Sequence, residues 1–276
     1  MNCLHPINLR KLGIIVPCGK CIKCRIQRTN EWKLRLVHES RYHEESCFIT
    51  LTYNDENLPE DRSLDKRVLQ NFIKRLRKRI EPVRIKYYAS GEYGSLLLRE
   101  HYHIICFGWN PPIEDLYKAY KKKGKQYYGS RTISALWTYG FNVVGQVTGD
   151  SCQYVAGYVR KKLFGKQGHN IYGGRLPPFA LQSRGIGARY AFEHWEELKT
   201  NLCVIERGKN LGTPRYYAKV VNLDTQDLQM KRHKIEAEVF QKYVDEGYDW
   251  SNYQDLKKES IEQEEKDMLY LENMRR

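Results

Sequence analysis

The 276-residue chain contains no run of about 18 apolar residues, and its N-terminus has no apolar stretch of the kind found in secretory signals. The first absence excludes a protein that crosses a membrane through an apolar helix, and the second argues against export. We therefore expect a globular protein that acts in a reducing cytoplasm without a membrane partner.

Acidic residues are scarce over most of the chain. Residues 1–221 contain 38 Lys or Arg and only 19 Asp or Glu, whereas residues 222–276 contain 9 basic and 14 acidic residues. A basic surface attracts polyanions, and the 21 Tyr and 5 Trp can stack on unpaired bases. The front of the chain therefore predicts binding to single-stranded nucleic acid, the alternative being an ordinary basic surface.

Two histidines lie close together in a predicted strand. Residues 101–107, HYHIICF, are rich in aromatic and β-branched types, and in a strand the side chains at i and i+2 share one face. His101 and His103 therefore point the same way, as two neutral imidazoles that bind a divalent metal would. The alternative is a pair of histidines satisfied by other groups on the sheet.

A helix with two tyrosines is predicted about fifty residues downstream. The segment SCQYVAGYVRKKL has apolar or aromatic residues at helical spacing, with Ser151 as the expected N-cap. Tyr154 and Tyr158 are four residues apart and so lie on one helix face. Lys161 and Lys162 follow at three and four residues from Tyr158. One face thus carries two phenols and two ammonium groups.

These motifs together resemble the HUH endonucleases, and the paired tyrosines resemble those of rolling-circle replication initiators. More narrowly, the chain is similar to the replication initiators of microviruses, the gokushovirus type in particular. Six segments carry this similarity, in order: CGKCIKCR, FITLTYND, YYASGEYG, HYHIICFG, YVAGYVRKK and SRGIGARY. Their order over residues 1–220, more than any single segment, makes the resemblance specific.

The resemblance implies a DNA strand transferase that acts on single-stranded DNA at a replication origin, in the cytoplasm of a bacterial host. One of Tyr154 and Tyr158 would nick the origin and become linked to the 5′ phosphate. The other would cut the regenerated origin after one round, so that the displaced strand is closed. Lys162, or Lys161, would stabilise the charged phosphate or phenolate. A host polymerase and a host helicase are the implied partners.

A carboxylate is expected to join the two histidines, because nitrogen ligands alone do not select Mg²⁺ or Mn²⁺. Glu92, Glu100 and Asp55 are near enough in sequence. Glu100 is adjacent to His101 and should point to the opposite face, which makes it the weakest candidate. The resemblance favours Glu92, since a Gly-Glu-x-Gly turn before the histidines often completes the metal site in initiators of this fold. The alternative for Glu92 is a turn carboxylate without a ligand role.

Four of the eight cysteines lie near the N-terminus, namely Cys3, Cys18, Cys21 and Cys24. Two short Cys-x2-Cys spacings with a fourth thiol fifteen residues earlier can close a tetrahedral site for a structural Zn²⁺. An iron–sulfur cluster and four free thiols are the alternatives. The other four cysteines are scattered among apolar neighbours, which predicts core positions.

The remaining pattern predicts an α+β fold. Strands and helices alternate in the order β-α-β-β-α-β, which is the order of a ferredoxin-like antiparallel sheet of about five strands flanked by helices. This agrees with the HUH endonuclease fold that the resemblance implies. We expect the strands at 47–53 and 101–107 to lie at the centre of the sheet. The Lys- and Tyr-rich segment 109–130 predicts an insertion with a short helix at 113–122.

Composition also suggests domain boundaries. We expect a Cys-rich segment with a helix over residues 1–45, the HUH endonuclease domain over 46–220, and an acidic helical tail over 221–276. The first helix should begin near Thr29 or Asn30, and Ser63 should cap the amphipathic helix at 64–80.

Two other readings of the function stay open. A non-catalytic protein could bind single strands or RNA through sheet aromatics and a zinc knuckle. An HUH transposase or relaxase is the nearer rival among enzymes.

Overall fold

The computed structural model of the protein describes residues 3, 5–94, 98–122, 124–161 and 172–274. The chain divides into two compact units. We call Trp32–Arg189 the sheet unit, and Met1–Glu31 together with Tyr190–Arg276 the terminal unit. Among the described helices, none is both long and apolar enough to span a membrane.

Strands and helices alternate along the chain. The strands are β1 (Ile7–Leu9), β2 (Ile14–Val16), β3 (Ser46–Tyr53), β4 (Lys86–Tyr93), β5 (Glu100–Phe107), β6 (Leu116–Lys122), β7 (Lys125–Ser130), β8 (Gly140–Gln146), β9 (Phe179–Gln182), β10 (Cys203–Glu206) and β11 (Lys209–Gly212). The helices are α1 (Ile22–Ser40), α2 (Lys66–Arg79), α3 (Arg131–Leu136), α4 (Gly149–Lys161), α5 (Ala188–Glu193), α6 (Trp195–Asn201), α7 (Arg215–Val220), α8 (Thr225–Asp245) and α9 (Trp250–Met274).

The sheet unit is built on one antiparallel sheet with the strand order β6-β7-β8-β3-β5-β4-β9. The predicted α+β fold with an antiparallel sheet and flanking helices is therefore confirmed, and β3 and β5 lie near its centre as expected. The sheet has seven strands rather than about five. It is the arrangement expected of an HUH-type domain.

Part of the difference in strand number comes from the segment 109–130, where the prediction of a short helix at 113–122 was wrong. Residues 116–130 form the hairpin β6–β7 instead. Tyrosine favours strands, and the rings of Tyr120 and Tyr127 stack across the hairpin with centroids 4.7 Å apart. These cross-strand contacts outweigh the helical propensity of the lysines, which local sequence overestimates.

The two faces of β5 pack against different helices. Tyr102, Ile104 and Cys106 belong to a buried cluster that includes Leu69 and Phe72 of α2. The alternate residues Ile105 and Phe107 belong to a second cluster on the other face. Side chains of α1 and α4 complete this second cluster: Leu36, Cys152, Val155 and Ala156. By strand alternation, the two histidines of β5 lie on the face covered by α4.

The scattered cysteines occupy core positions, as predicted. The buried thiols are Cys47, Cys106, Cys152 and Cys203.

Two helices begin elsewhere than predicted because another residue provides the cap. Asp65, not Ser63, caps α2, and its carboxylate accepts a hydrogen bond from the Arg67 amide at 2.6 Å. Helix α4 begins at Gly149, so Ser151 is not its N-cap. Instead, Thr148 Oγ1 accepts from the Ser151 amide at 3.1 Å, and Ser151 Oγ accepts from the Thr148 amide at 2.8 Å. This is the reciprocal pattern of a capping box.

Helix α1 starts at Ile22, seven residues before the predicted start near Thr29 or Asn30. Thr29 does not cap a helix, because its hydroxyl donates to the Arg25 carbonyl oxygen within α1 at 2.9 Å.

The terminal unit contains two hairpins and the C-terminal helices. Strands β1 and β2 pair, and β10 pairs with β11. The acidic tail is helical as predicted, but it forms two helices, α8 and α9, instead of one long helix. Gly247, at a φ of +92°, lies between them in a conformation that favours glycine. The domain boundaries drawn from composition stay a prediction.

Candidate active site

Three predicted ligands meet on the sheet face that α4 covers. Antiparallel pairing of β4 and β5 places Glu92 directly opposite His101. Glu92 Oε1 lies 2.6 Å from His101 Nε2 and 3.1 Å from His103 Nε2. Glu92 and His103 are each only 5% exposed. Strand β4 continues through Tyr93, so Glu92 is held by the sheet and not by the predicted turn.

The histidine rings are oriented by contacts outside this trio. His101 Nδ1 lies 3.0 Å from the backbone carbonyl oxygen of Arg99. A carbonyl only accepts hydrogen bonds, so a neutral His101 carries its proton on Nδ1 and its lone pair on Nε2. His103 Nδ1 contacts Thr50 Oγ1 on β3 at 3.0 Å. Both rings therefore present Nε2 to Glu92, as metal-binding histidines with a fixed second nitrogen do.

The charges at the trio also suit a cation. Burial acts to raise the pKa of the Glu92 carboxyl, but its hydrogen bonds with His101 and His103 outweigh burial and lower the pKa to about 2. An ionised carboxylate and two nitrogen lone pairs directed at one point need a positive charge between them. Two imidazoles and one carboxylate are a donor set that binds divalent metals.

A further polar atom lies at the edge of the trio. Ser90 pairs with His103 in the β-ladder and lies two residues from Glu92 on the same face of β4. Its hydroxyl oxygen is buried and has no hydrogen-bond partner within the described residues. Such an unsatisfied atom is costly unless a further polar group binds there. The residues present therefore fit a hydrated divalent cation.

The other two candidate carboxylates do not join the trio. Glu100 is fully buried away from the histidines and accepts a hydrogen bond from Arg62 Nε at 3.2 Å. This agrees with the opposite orientation predicted for Glu100. Asp55 is exposed and pairs with the Arg99 guanidinium.

Tyr154 is the tyrosine seen beside the trio. Its ring centroid lies 5.3 Å from that of His103, in an edge-on arrangement. Phe48 of β3 contacts both rings, with centroids 5.4 Å from His103 and 6.4 Å from Tyr154. Tyr154 is 50% exposed, so it lies between the sheet and solvent.

The remaining predicted catalytic residues follow Tyr154 in sequence. Tyr158 and Lys161 belong to α4, but their side chains are not among those described. Lys162 lies outside the described residues.

Beside the trio the same sheet face carries an exposed aromatic ring. Phe141 of β8 pairs with Thr52 of β3, which in turn pairs with His101. Helix α4 packs on β4, β5 and β9, and Phe141 is 64% exposed. We call Phe141, Val143 and Gly145, the β8 residues of this face, the open strip.

Sequence reasoning missed Thr50 and Arg99. Thr50 stands opposite His103 only because of the β3–β5 register. Arg99 contributes a backbone oxygen, which no residue type reveals. A hydroxyl in a strand predicted to neighbour the histidines was the one available signal.

The N-terminal cysteines also come together. One ligand atom from each of Cys3, Cys18, Cys21 and Cys24 lies within 4.8 Å of the others. This second possible metal site lies in the terminal unit.

Comparison with known proteins gives a consistent answer. A family model that describes replication-associated proteins of the ORF2 type matches residues 46–163. The chain is 34% identical over 259 residues to replication-associated protein ORF2 of Spiroplasma virus 4, which covers 86% of this chain and 79% of that protein. It is 36% identical over 214 residues to replication-associated protein VP4 of Bdellovibrio phage phiMH2K, covering 73% and 65%.

A third relative is replication-associated protein ORF4 of Chlamydia phage 1, 30% identical over 216 residues, with 76% of this chain and 54% of that protein covered. No solved structure matches the chain at a significant level. The relationship predicted from the ordered motifs is confirmed: this chain belongs to the replication-associated proteins of the microviruses.

Proposed function

We propose that the protein starts rolling-circle DNA replication of a phage by nicking the origin strand with a tyrosine, and rejoins the circle after one round. The observation that carries this proposal is the position of Tyr154. Its ring lies 5.3 Å from the ring of His103, on the sheet face where Glu92, His101 and His103 converge. A nucleophile beside a cation site is what phosphodiester transfer needs.

In the proposed reaction, the phenolic oxygen of Tyr154 or Tyr158 bonds to phosphorus while the bond from phosphorus to the 3′ oxygen breaks. The phenol loses its proton, and the departing 3′ oxygen takes up a proton to become a hydroxyl. The protein is then joined to the 5′ phosphate. Because the phosphotyrosine conserves the bond energy, attack by a 3′ hydroxyl can reverse the step and seal the strand.

Glu92, His101 and His103 would hold Mg²⁺ or Mn²⁺, which supplies Lewis-acid activation of the scissile phosphate. Carboxylate oxygen favours these hard ions, and imidazole is compatible with Mn²⁺. Arg99 and Thr50 keep the two imidazole rings oriented so that no reorganisation is needed when the ion binds. The Cys cluster takes no part in this chemistry.

The second tyrosine would serve the second cut. Tyr158 follows Tyr154 by four residues in α4, so both belong to one helix face. After one round, one phenol carries the parental 5′ end and the other would cleave the regenerated origin. Lys161 or Lys162 would stabilise the negative charge on the phosphate or the phenolate.

The single strand would lie across the open strip on its way to the trio. Phe141 is two strands from His101, a separation of about 10 Å. An exposed aromatic ring at this distance suits stacking by a base close to the scissile phosphate. The excess of Lys and Arg in residues 1–221 would neutralise the backbone.

The nicked origin leaves a 3′ hydroxyl, which a host polymerase would extend while a host helicase separates the strands. The protein would therefore act in the cytoplasm of the bacterial host.

Formation of a covalent adduct tests the proposal. The purified protein is incubated with labelled single-stranded origin DNA, with and without Mn²⁺, and separated by denaturing electrophoresis. We expect a metal-dependent protein–DNA band that disappears in the Tyr154→Phe, Tyr158→Phe double variant. Tyr248→Phe, at an exposed tyrosine of the terminal unit, is the matched control and should keep the band. Binding without any adduct would instead support a non-catalytic single-strand binding protein.

A further inference from the structure

Four thiols of the terminal unit converge without forming disulfides. Cys3 Sγ lies 3.9 Å from Cys21 Sγ, and the four sulfurs, with those of Cys18 and Cys24, all lie within 4.8 Å of one another. A disulfide holds its sulfurs about 2.05 Å apart, and all four cysteines are free. Strand transfer by tyrosine makes no use of them.

The spacing of the sulfurs is close to that of a tetrahedral metal site. Sulfur lies about 2.3 Å from zinc, so two sulfurs bound to the same tetrahedral ion are about 3.8 Å apart. The distance of 3.9 Å between Cys3 and Cys21 already has this value. Four converging thiols require no side chain from outside the cluster to complete the coordination sphere.

The local backbone is arranged to support thiolates. The Cys18 amide donates to Cys3 Sγ at 3.2 Å. Cys18 Sγ in turn accepts from the amides of Cys21, at 3.3 Å, and Lys20, at 3.4 Å. Gly19 permits this tight turn with a φ of +72°. Hydrogen bonds to sulfur spread the negative charge that several thiolates around one cation would otherwise concentrate.

The other two ligands are placed by a helix. Cys21 immediately precedes α1 and Cys24 lies in its first turn, and both are 7% exposed. The positive end of a helix favours thiolates at this position. Buried free thiols are common, but four from a turn, a helix start and the N-terminal segment at one point are not expected from packing alone.

We propose that Cys3, Cys18, Cys21 and Cys24 hold one structural Zn²⁺ that fastens the N-terminal segment to the start of α1. Binding releases the thiol protons to solvent and leaves the sulfurs as thiolates. Four protein ligands leave no open position, so this zinc is structural and activates no water. Short loops ordered around a metal gain their folded structure from the binding itself.

Metal analysis of the full chain tests this assignment. The protein is purified from cells grown with zinc and then dialysed against EDTA. We expect about one zinc per chain in the wild type and none in Cys18→Ser. The matched control is Cys203→Ala, a buried thiol of the same unit outside the cluster, which should keep its zinc. Glu92→Ala should also keep it, which separates this metal from any ion at the histidines.

A second measurement covers the case in which the cysteine variants fail to fold. In the wild type, a mercurial reagent should release one zinc per chain as it titrates the thiols. Cobalt in place of zinc should give the intense visible bands of a tetrahedral thiolate site. Protein without zinc, or protein that contains iron and absorbs as a cluster does, would overturn the assignment.

Discussion

Thr50 and His103 face each other across the central pair of strands, with Thr50 Oγ1 3.0 Å from His103 Nδ1. The contact leaves Nε2 of the same ring directed at Glu92. A residue that touches neither phosphate nor ion in the proposed reaction thus controls which nitrogen of His103 is available. Partners of this kind typically change metal affinity or activity by 10- to 100-fold.

Thr50→Val preserves the shape of the side chain and removes this hydrogen bond. We expect origin cleavage to need about 10-fold more Mn²⁺ for half-maximal rate, because His103 is no longer held in one tautomer. The measurement is the rate of adduct formation over a Mn²⁺ titration. Ser46→Ala is the control, because Ser46 lies on the same strand and its hydroxyl has no hydrogen-bond partner in the described residues. An unchanged titration curve for Thr50→Val would contradict this role.

Glu92→Gln keeps the size of the ligand and removes its charge. Two imidazoles without a carboxylate bind hard divalent ions poorly, so we expect at least a 10-fold rise in the Mg²⁺ or Mn²⁺ concentration required for cleavage. The same cleavage titration measures it, with the exposed Glu44→Gln as control. Equal metal requirements in Glu92→Gln and the wild type would exclude Glu92 as a ligand.

Phe141→Ala tests the open strip. Stacking of one base on an aromatic side chain contributes about 1–3 kcal/mol, so we expect the Kd for single-stranded origin DNA to rise about 5- to 100-fold. Phe141→Tyr should bind as the wild type does, because the ring is kept. Phe192→Ala removes a ring that is 60% exposed in the terminal unit and should have little effect. Fluorescence anisotropy at fixed salt gives the three affinities, and a normal Kd for Phe141→Ala would argue against stacking there.

Acid stability should depend on Glu39, which is 1% exposed at the end of α1. Burial acts to raise its pKa, but hydrogen bonds from His43, Lys86 and the Gly187 amide outweigh burial and lower the pKa from 4.5 to about 2. A lowered pKa stabilises the fold above pH 4.5, and this contribution is lost as the pH falls toward 2. The shift corresponds to about 3 kcal/mol.

Glu39→Gln should therefore lower the free energy of unfolding by about 3 kcal/mol at pH 7, and the difference from the wild type should shrink as the pH approaches 2. Urea unfolding at several pH values measures both effects. The exposed Glu45→Gln serves as the control. A difference that stays constant between pH 7 and pH 2.5 would mean that the Glu39 charge does not stabilise the fold.

Local sequence predicts those parts of the site that depend on local geometry. Alternation along one strand was enough to put His101 and His103 on a shared face, and helical spacing was enough to pair Tyr154 with Tyr158. Choosing Glu92 over Asp55 needed the family resemblance, because no spacing rule brings a residue of β4 opposite one of β5.

Features that depend on strand register were not predictable in this way. Thr50 lies opposite His103 through 53 residues of intervening chain. The hairpin β6–β7 was mistaken for a helix because its tyrosine stack joins residues of two strands, whereas the lysines around it favour a helix locally.

The central claim is that a tyrosine of α4 becomes covalently joined to DNA. The most direct measurement is mass spectrometry of the proteolysed adduct formed with origin DNA and Mn²⁺. We predict a peptide from α4 that carries a nucleotide on Tyr154 or Tyr158 through a phosphate. Attachment to a residue outside α4, or cleavage of the DNA by water with no modified peptide, would contradict the account.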